Sequence, residues 1–119
     1  MAIESYRDLR VWQQSMSIAK QCYFLTRNFP QSEIYGMTSQ IRRCSSSVPA
    51  NIAEGYGRES TGDYIRFLRV AQGSLKELET HLILATDVEL TEANKSDPIL
   101  SQCDEVGRML RALIRSLNR

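Results

Sequence analysis

Apolar and polar positions alternate along this chain with the spacing of amphipathic helices. The clearest stretch runs from Tyr64 to Ala85, where apolar residues recur at alternating intervals of four and three. Related patterns occupy residues 9–29 and 106–117, and a further segment between them ends near residue 56. Spacing of this kind places apolar side chains on one face of a helix. The sequence therefore predicts an all-α protein, and the short connections favour an antiparallel up-down-up-down four-helix bundle.

The first predicted helix has two apolar stripes on nearly opposite faces. One stripe consists of Leu9, Trp12, Met16, Ala19 and Tyr23. The other consists of Val11, Ile18, Cys22, Leu25 and Phe29. Because a helix that is apolar on two faces must be covered twice, we predict that a second subunit covers one of them. The predicted interface residues are Val11, Ile18, Cys22 and Leu25. The alternative is a broad core face with a few exposed apolar residues.

The second predicted helix contains its own breaker, Pro49. Proline lacks an N–H, and its ring clashes with the carbonyl four residues earlier, which here belongs to Ser45. We therefore expect a kink at Pro49, made easier by the three serines that precede it. Asn51 and Glu54 follow and, if they turn inward, need hydrogen-bond donors. The candidate donors are Arg42, Arg43 and Arg58.

Caps and breakers set the expected helix boundaries. The second helix should start between residues 32 and 38 and end at about residue 56. Ser60 and Asp63 resemble a capping box for the third helix, which should end near Asp87. Thr91 is the next plausible cap. Pro98 interrupts the start of the fourth helix, which either begins anew near this residue or bends there.

Length and composition indicate a single globular domain. The chain has 119 residues, the size of one domain, and we assign residues 1–119 to a single four-helix-bundle domain. Hydrophobic residues make up 42% and charged residues 24%, which is typical of a globular protein. The first residues lack the apolar core of a signal peptide, and no apolar run is long enough to span a membrane. A cytoplasmic location is therefore expected.

Candidate catalytic and metal-binding chemistry is sparse. Cys22, Cys44 and Cys103 form no CxxC pair, which argues against a zinc site or a disulfide framework. His81 is the single histidine, and the sequence has neither a phosphate-binding glycine loop nor a nucleophile elbow. We therefore predict that the protein is not an enzyme and uses neither a cofactor nor a metal.

The basic residues are mostly arginines, which form two candidate anion-binding groups. The net charge is only +1, but arginine suits bidentate contact with phosphate. The group on the last helix consists of Arg108, Arg111, Arg115 and Arg119. The group on the second and third helices consists of Arg42, Arg43, Arg66 and Arg69. The first group could follow a phosphate backbone or form a solvated face, and the second could bind an anion or pair with nearby carboxylates.

Four segments of the sequence carry a resemblance to a known family. They are YRDLRVWQQSM (6–16), YGMTSQIRRCSSSVPANIAEGYGR (35–58), YIRFLRVAQGSLKELETHLILA (64–85) and GRMLRALIRSL (107–117). In this order they resemble the 23S rRNA intervening-sequence proteins, a bacterial family similar to the accessory variability determinant of diversity-generating retroelements. The resemblance implies an antiparallel four-helix bundle, assembly into a ring-like homopentamer and no established enzymatic activity.

Two functions are compatible with these residues. The leading hypothesis is a non-enzymatic homo-oligomeric binding or scaffold protein that associates with RNA or a nucleoprotein through its arginine clusters. The alternative is a purely protein-binding oligomeric adaptor without affinity for nucleic acid, whose acidic region between residues 77 and 105 meets a basic partner. The expected partners are further copies of the chain and RNA or a nucleic-acid-binding protein, and a membrane is not among them.

Overall fold

Four α-helices and two short 3-10 helices make up the computed structural model, which describes residues 2–119. The α-helices are α1 (Arg10–Thr26), α2 (Met37–Tyr56), α3 (Thr61–Asp87) and α4 (Ala93–Leu117). The 3-10 helices, Tyr6–Asp8 and Gln31–Glu33, precede α1 and α2. Residues 2–119 contain no strand, so the prediction of an all-α chain with four helices is confirmed. Within the same residues, no helix is both long and apolar enough to cross a bilayer.

The starts of α2 and α3 are capped by side chains. Ser60 accepts a hydrogen bond from the backbone N–H of Asp63 and caps α3, which confirms the Ser60 half of the predicted capping box. The cap of α2 comes from the preceding 3-10 helix, where the Glu33 carboxylate accepts the N–H of Met37 at 3.0 Å. A carboxylate at this position also interacts favourably with the positive end of the helix dipole.

The connection between α3 and α4 differs in part from the prediction. α3 ends at Asp87 as expected, and Glu89 follows in the left-handed region with φ 67°. This turn lets the Leu90 N–H reach the Ala85 carbonyl at 2.8 Å, which satisfies one carbonyl at the helix end. α4 begins at Ala93 without a side-chain cap and continues through Pro98, so it does not begin anew at the proline.

One core receives apolar side chains from all four helices. The predicted α3 stripe is buried except at Tyr64, which is half-buried at its edge. The fully buried side chains of α3 are Leu68, Ala71, Leu75, Leu78, Leu82 and Ala85. On α4 the core residues are Ile99, Cys103, Val106, Leu110 and Ile114. Burial of this apolar area is the main favourable contribution to the stability of the fold.

Polar pairs tie neighbouring helices together. The hydroxyl of Ser47 on α2 lies 2.9 Å from that of Ser74 on α3, and the hydroxyls of Thr86 and Ser96 join α3 to α4 at the same distance. The amide of Gln102 on α4 bridges two glutamines of α1, Gln14 and Gln21, at 2.9 and 2.6 Å. These half-buried groups satisfy one another where water has limited access.

Pro49 lies inside α2, which remains helical on both sides of it. The buried Ser45 hydroxyl donates to the Arg42 carbonyl at 3.1 Å, so this serine is satisfied locally. Arg42, Arg43 and Arg58 were the candidate hydrogen-bond donors for Asn51 if it turned inward. Its amide instead donates to the Ser47 carbonyl and hydroxyl at 2.8 and 3.0 Å. The kink itself stays a prediction.

Glu54 does not turn inward, and its partner is one of the predicted arginines. Its carboxylate is at the surface and pairs with Arg58, one of the three candidate donors, at 2.8 Å. Both side chains are about half exposed, so this ion pair contributes little to stability. The predicted polar network therefore divides into a serine and asparagine contact toward α3 and a separate surface ion pair.

α2 and α3 approach each other closely at Gly55. A Cβ added to this glycine would lie 2.8 Å from the Phe67 Cβ and 3.2 Å from the Tyr64 carbonyl oxygen. Gly73, on the exposed face of α3, has no atom within 4 Å of the same position. Packing against α3 therefore restricts the side chain at position 55, whereas only helix propensity matters at position 73.

We expect Gly55→Ala to destabilise the fold by about 1–3 kcal/mol, because the added methyl group forces α2 away from α3. Gly73→Ala is the matched control and should stabilise the fold by about 0.5–1 kcal/mol through helix propensity alone. Urea unfolding at one protein concentration measures both values. A neutral or stabilising Gly55→Ala variant would contradict the close approach.

Candidate assembly groove and arginine cleft

An apolar groove of about 480 Å³ opens between α1 and α2. We call it the α1–α2 groove. Its principal lining residues are Trp12, Met16, Tyr23, Phe24, Pro49 and Ala50. The α2 side is lined by small or compact side chains, whereas the α1 side carries large rings. The difference in size leaves a concave apolar surface.

Aromatic side chains of α1 remain open to solvent along this groove. Phe24 is 57% exposed and Tyr23 is 43% exposed. Arg27 lies over the Phe24 ring and Arg42 over the Tyr23 ring, each 4.7 Å from the ring centroid. Large exposed apolar surfaces of this kind mark interaction sites in folded proteins.

The 3-10 helix at Tyr6–Asp8 contributes the Tyr6 side chain to the groove. Ser5 accepts from the Arg7 N–H, and the Asp8 carboxylate accepts the Ser5 N–H at 3.2 Å. This capping box positions the Tyr6 ring edge-to-face against Trp12, with centroids 5.3 Å apart. We did not predict this element, although Ser5 followed by Asp8 three residues later is its sequence signal.

The predicted interface stripe of α1 is wrong in its residues. Val11 and Leu25 are 5% and 8% exposed, and Ile18 and Cys22 are at most 1% exposed. All four pack in the chain's own core, where a second subunit cannot reach them. The stripe that carries Trp12 lines the groove instead. The prediction that α1 has two apolar faces was correct. The face predicted to form the subunit interface lies in the core, and the other face lines the groove.

A second group of exposed apolar residues lies at the end of α3. It consists of Ile83, Leu84 and Val88, which are 50%, 45% and 56% exposed. We call it the α3 patch. The acidic residues Asp87 and Glu89 are next to it in the chain and make no ion pair among the described residues.

The arginines predicted to cluster on α2 and α3 are dispersed. Arg42 donates through Nε to the Thr26 hydroxyl at 2.9 Å and so contacts α1. Arg43 contacts the other neighbour, α3, where it pairs with Glu77 at 3.0 Å. Arg66 lies eleven positions before Glu77, about 16 Å along the helix. The predicted group of four is therefore not assembled.

Arg69, the remaining member of that group, meets the arginines of α4. It lines a cleft of about 300 Å³ together with Arg111 and Arg115, and we call this space the α3–α4 cleft. Its other lining residues are Gln72, Ile114 and Asn118. Arg108 and Arg119 are exposed outside it. The spacing of the α4 arginines was visible in the sequence. That Arg69 of α3 joins them was not predicted.

The three cysteines are buried and reduced. Burial, together with the nearby Cys44, raises the pKa of the Cys22 thiol to about 12. Burial raises the pKa of Cys44 to about 11 and moves that of Cys103 in the same direction. Neutral thiols without access to solvent are poor nucleophiles. Among residues 2–119, no cluster of three or more potential metal ligands occurs.

His81 is half-buried on α3 beside Glu77. Its Nε2 lies 3.5 Å from a Glu77 carboxylate oxygen, too poorly placed for a hydrogen bond. Neither ring nitrogen has a hydrogen-bond partner within residues 2–119. The same Glu77 oxygen accepts from Arg43, which leaves the carboxylate engaged elsewhere.

We expect the three native thiols to resist Ellman's reagent at pH 8 and to react rapidly in urea, because unfolding exposes them and restores their ordinary pKa. Ser101→Cys places a thiol on the exposed face of α4 and is the matched control for fast reaction. Fast reaction of the folded wild-type protein would contradict their burial.

These thiols also predict how stability depends on pH. Their folded pKa values exceed the ordinary value of 9.0, so the folded state retains the protons longer than the unfolded state. Their contribution to the free energy of unfolding is complete below pH 9 and is lost as pH rises through about 11–12. Urea unfolding between pH 7 and pH 11 should show this decline, and Cys22→Ala should reduce it.

The fold and sites define the class of the molecule as a small all-α protein of four helices with an open apolar groove. The family model of the 23S rRNA-intervening sequence protein matches residues 7–112. The chain therefore belongs to this family, which confirms the resemblance seen in the sequence.

A solved structure shares the arrangement of the helices. It is a protein of unknown function from the S23 ribosomal protein family of Bacteroides thetaiotaomicron VPI-5482, with a TM-score of 0.79 and 26% sequence identity. The match covers 87% of this chain and 97% of that chain. No curated protein matches the sequence.

Proposed function

We propose that this protein is a non-enzymatic, self-assembling binding protein that associates with RNA or a nucleoprotein. The observation that carries the self-assembly is the uncovered α1–α2 groove, whose exposed rings include Tyr23 and Phe24. A water-exposed surface of this size and apolarity is stabilised by a partner. Another copy of the chain is the partner that we propose.

Two different apolar surfaces support a ring of copies. In a closed ring, each subunit presents one surface to the preceding copy and a different surface to the next. The α1–α2 groove and the α3 patch can fill these two roles. Their charges are complementary, since Lys20 lines the groove and Arg27 lies over Phe24, whereas Asp87 and Glu89 flank the patch. The ring-like homopentamer implied by the family resemblance is the assembly that we propose.

Residue pairings support an antiparallel bundle within each subunit. Three contacts join α2 to α3: Arg43 with Glu77, Ser47 with Ser74, and Gly55 with Phe67. The residue numbers increase along α2 while those of the partners on α3 decrease, as in two helices that run in opposite directions. Between α3 and α4, Ser96 meets Thr86 and Gly107 lies near Leu75. We propose the up-down-up-down order for these helices.

We expect Ala50→Glu to dissociate the assembly, because it places a charge on the apolar α1–α2 groove while the residue is exposed in the single chain. Ala112→Glu, an identical change on the exposed face of α4, is the matched control. Light scattering coupled to size exclusion should give a multimer for wild type and Ala112→Glu, and the 13.6 kDa monomer for Ala50→Glu.

A monomeric wild-type protein at micromolar concentration would overturn self-assembly. A multimeric Ala50→Glu variant with an unchanged mass would show that the groove is not the interface. Circular dichroism of each variant establishes that its helices are intact, so that unfolding is not mistaken for dissociation.

A protein-binding adaptor is the second candidate function, and one observation favours it. The end of the chain's long axis near the α3–α4 connection carries acidic residues that make no ion pair within residues 2–119. They are Asp87, Glu89, Glu92 and Asp97. A basic protein partner could dock there without any contact to nucleic acid. Absence of RNA binding at low salt by an assembled wild-type protein would favour this candidate.

A further inference from the structure

We infer that the α3–α4 cleft binds a phosphate group, with Arg69, Arg111 and Arg115 as its ligands. The inference deepens the proposed function and rests on its RNA-binding part, because it names where the polynucleotide backbone is held. The cleft combines guanidinium groups from two helices with an apolar floor at Ile114. Guanidinium groups match the geometry and charge of phosphate oxygens.

The arginines of the cleft lack the carboxylate partners that four arginines elsewhere in the chain have. Arg10, Arg43, Arg58 and Arg66 each form an ion pair with an acidic residue. No carboxylate lines the cleft, and none of its three arginines forms an ion pair among residues 2–119. No ion pair within the described part of the chain therefore offsets their mutual repulsion. A bound anion would offset it.

The position of the cleft near the end of α4 does not explain why three arginines line it. Cations near a helix C-terminus are stabilised by the helix dipole, and Arg115 lies in the last turn of α4. Arg69 belongs to another helix, and Arg111 lies one turn earlier than Arg115. The dipole effect declines beyond the last turn, so it leaves the convergence of these two arginines unexplained.

Two amide side chains complete the set of available donors. Gln72 on α3 and Asn118 after α4 line the cleft, and neither side chain makes a hydrogen bond within the described residues. The Arg111 guanidinium lies back over Gly107, with Nη1 3.6 Å from the position of an added Cβ. The small residue leaves room for this arginine to lie close to the helix and to α3.

Charge is also segregated along the molecule in a way that favours an anion at this site. The structure is 45 Å long and only about half as wide. The unpaired acidic residues of the α3–α4 connection, Asp87 and Glu92 among them, lie at the start of α4. The cleft lies toward the opposite end of the same helices. An incoming polyanion is therefore directed toward the cleft.

Fluorescence anisotropy of a labelled single-stranded RNA oligonucleotide tests the inference with the full-length protein. We expect Arg111→Gln and Arg115→Gln each to weaken binding about tenfold at low salt, and Arg69→Gln to do the same. Each should also reduce the slope of log affinity against log salt by about 0.7, the value for one lost phosphate contact to a single strand.

The control is Lys95→Gln, which removes one positive charge at the opposite end of α4. It should leave RNA binding and its salt dependence unchanged. Light scattering and urea unfolding of every variant separate a loss of binding from a loss of assembly or folding. If wild type binds RNA and the cleft variants bind equally well, the inference is overturned while RNA binding stands. Equal weakening by Lys95→Gln also overturns it, since total charge would then suffice.

Two further measurements identify the ligand. Polyglutamate should compete poorly with RNA at equal charge, and equal competition would overturn a phosphate site. If wild type binds no RNA, inorganic phosphate is titrated while the arginine Nε–H signals are followed by NMR. Shifts confined to the arginines of the cleft would support a site for free phosphate and reject the RNA-binding part of the proposed function. An absence of shifts would overturn the inference.

Discussion

The arrangement of this molecule depends on one helix having more apolar surface than its own bundle can cover. α1 buries Val11, Ile18 and Cys22 in the core on the side that packs against α2 and α4, which leaves the opposite face in water. Full burial of one large apolar side chain contributes about 1.5–3 kcal/mol. The exposed parts of Tyr23 and Phe24 therefore leave a substantial part of this free energy available for association. The groove, and the assembly proposed from it, follow from this surplus.

Close packing of α2 on α3 determines where the charged side chains can act. At Gly55 and at the contact between Ser47 and Ser74, the two helices approach so closely that neither can rotate without a clash or a lost hydrogen bond. The fixed orientation directs Arg43 toward Glu77 and leaves Arg69 on the side of α3 that faces α4. A packing contact on one side of the helix thus contributes to an electrostatic site on the other.

Residues of the candidate sites could be predicted to lie together only where they belong to the same helix, because their spacing in the sequence then shows it. The arginine periodicity of α4 was visible because Arg111 and Arg115 lie one turn apart in sequence. The contribution of Arg69 depends on how α3 and α4 are aligned, and the sequence does not state that alignment. The predicted grouping of Arg42 with Arg66 failed for the same reason. Side chains that are equally spaced in sequence can face different neighbours once the helices pack.

The sequence by itself determined the number of helices, the apolar stripe of α3 and the presence of two apolar faces on α1, because each follows from helical periodicity within one segment. It also determined membership of the family, since the characteristic segments span nearly the whole chain. Only the tertiary structure decided which face of α1 enters the core and which arginines converge. Those outcomes depend on how the shapes and charges of separate helices fit together, and local periodicity carries no information about that fit.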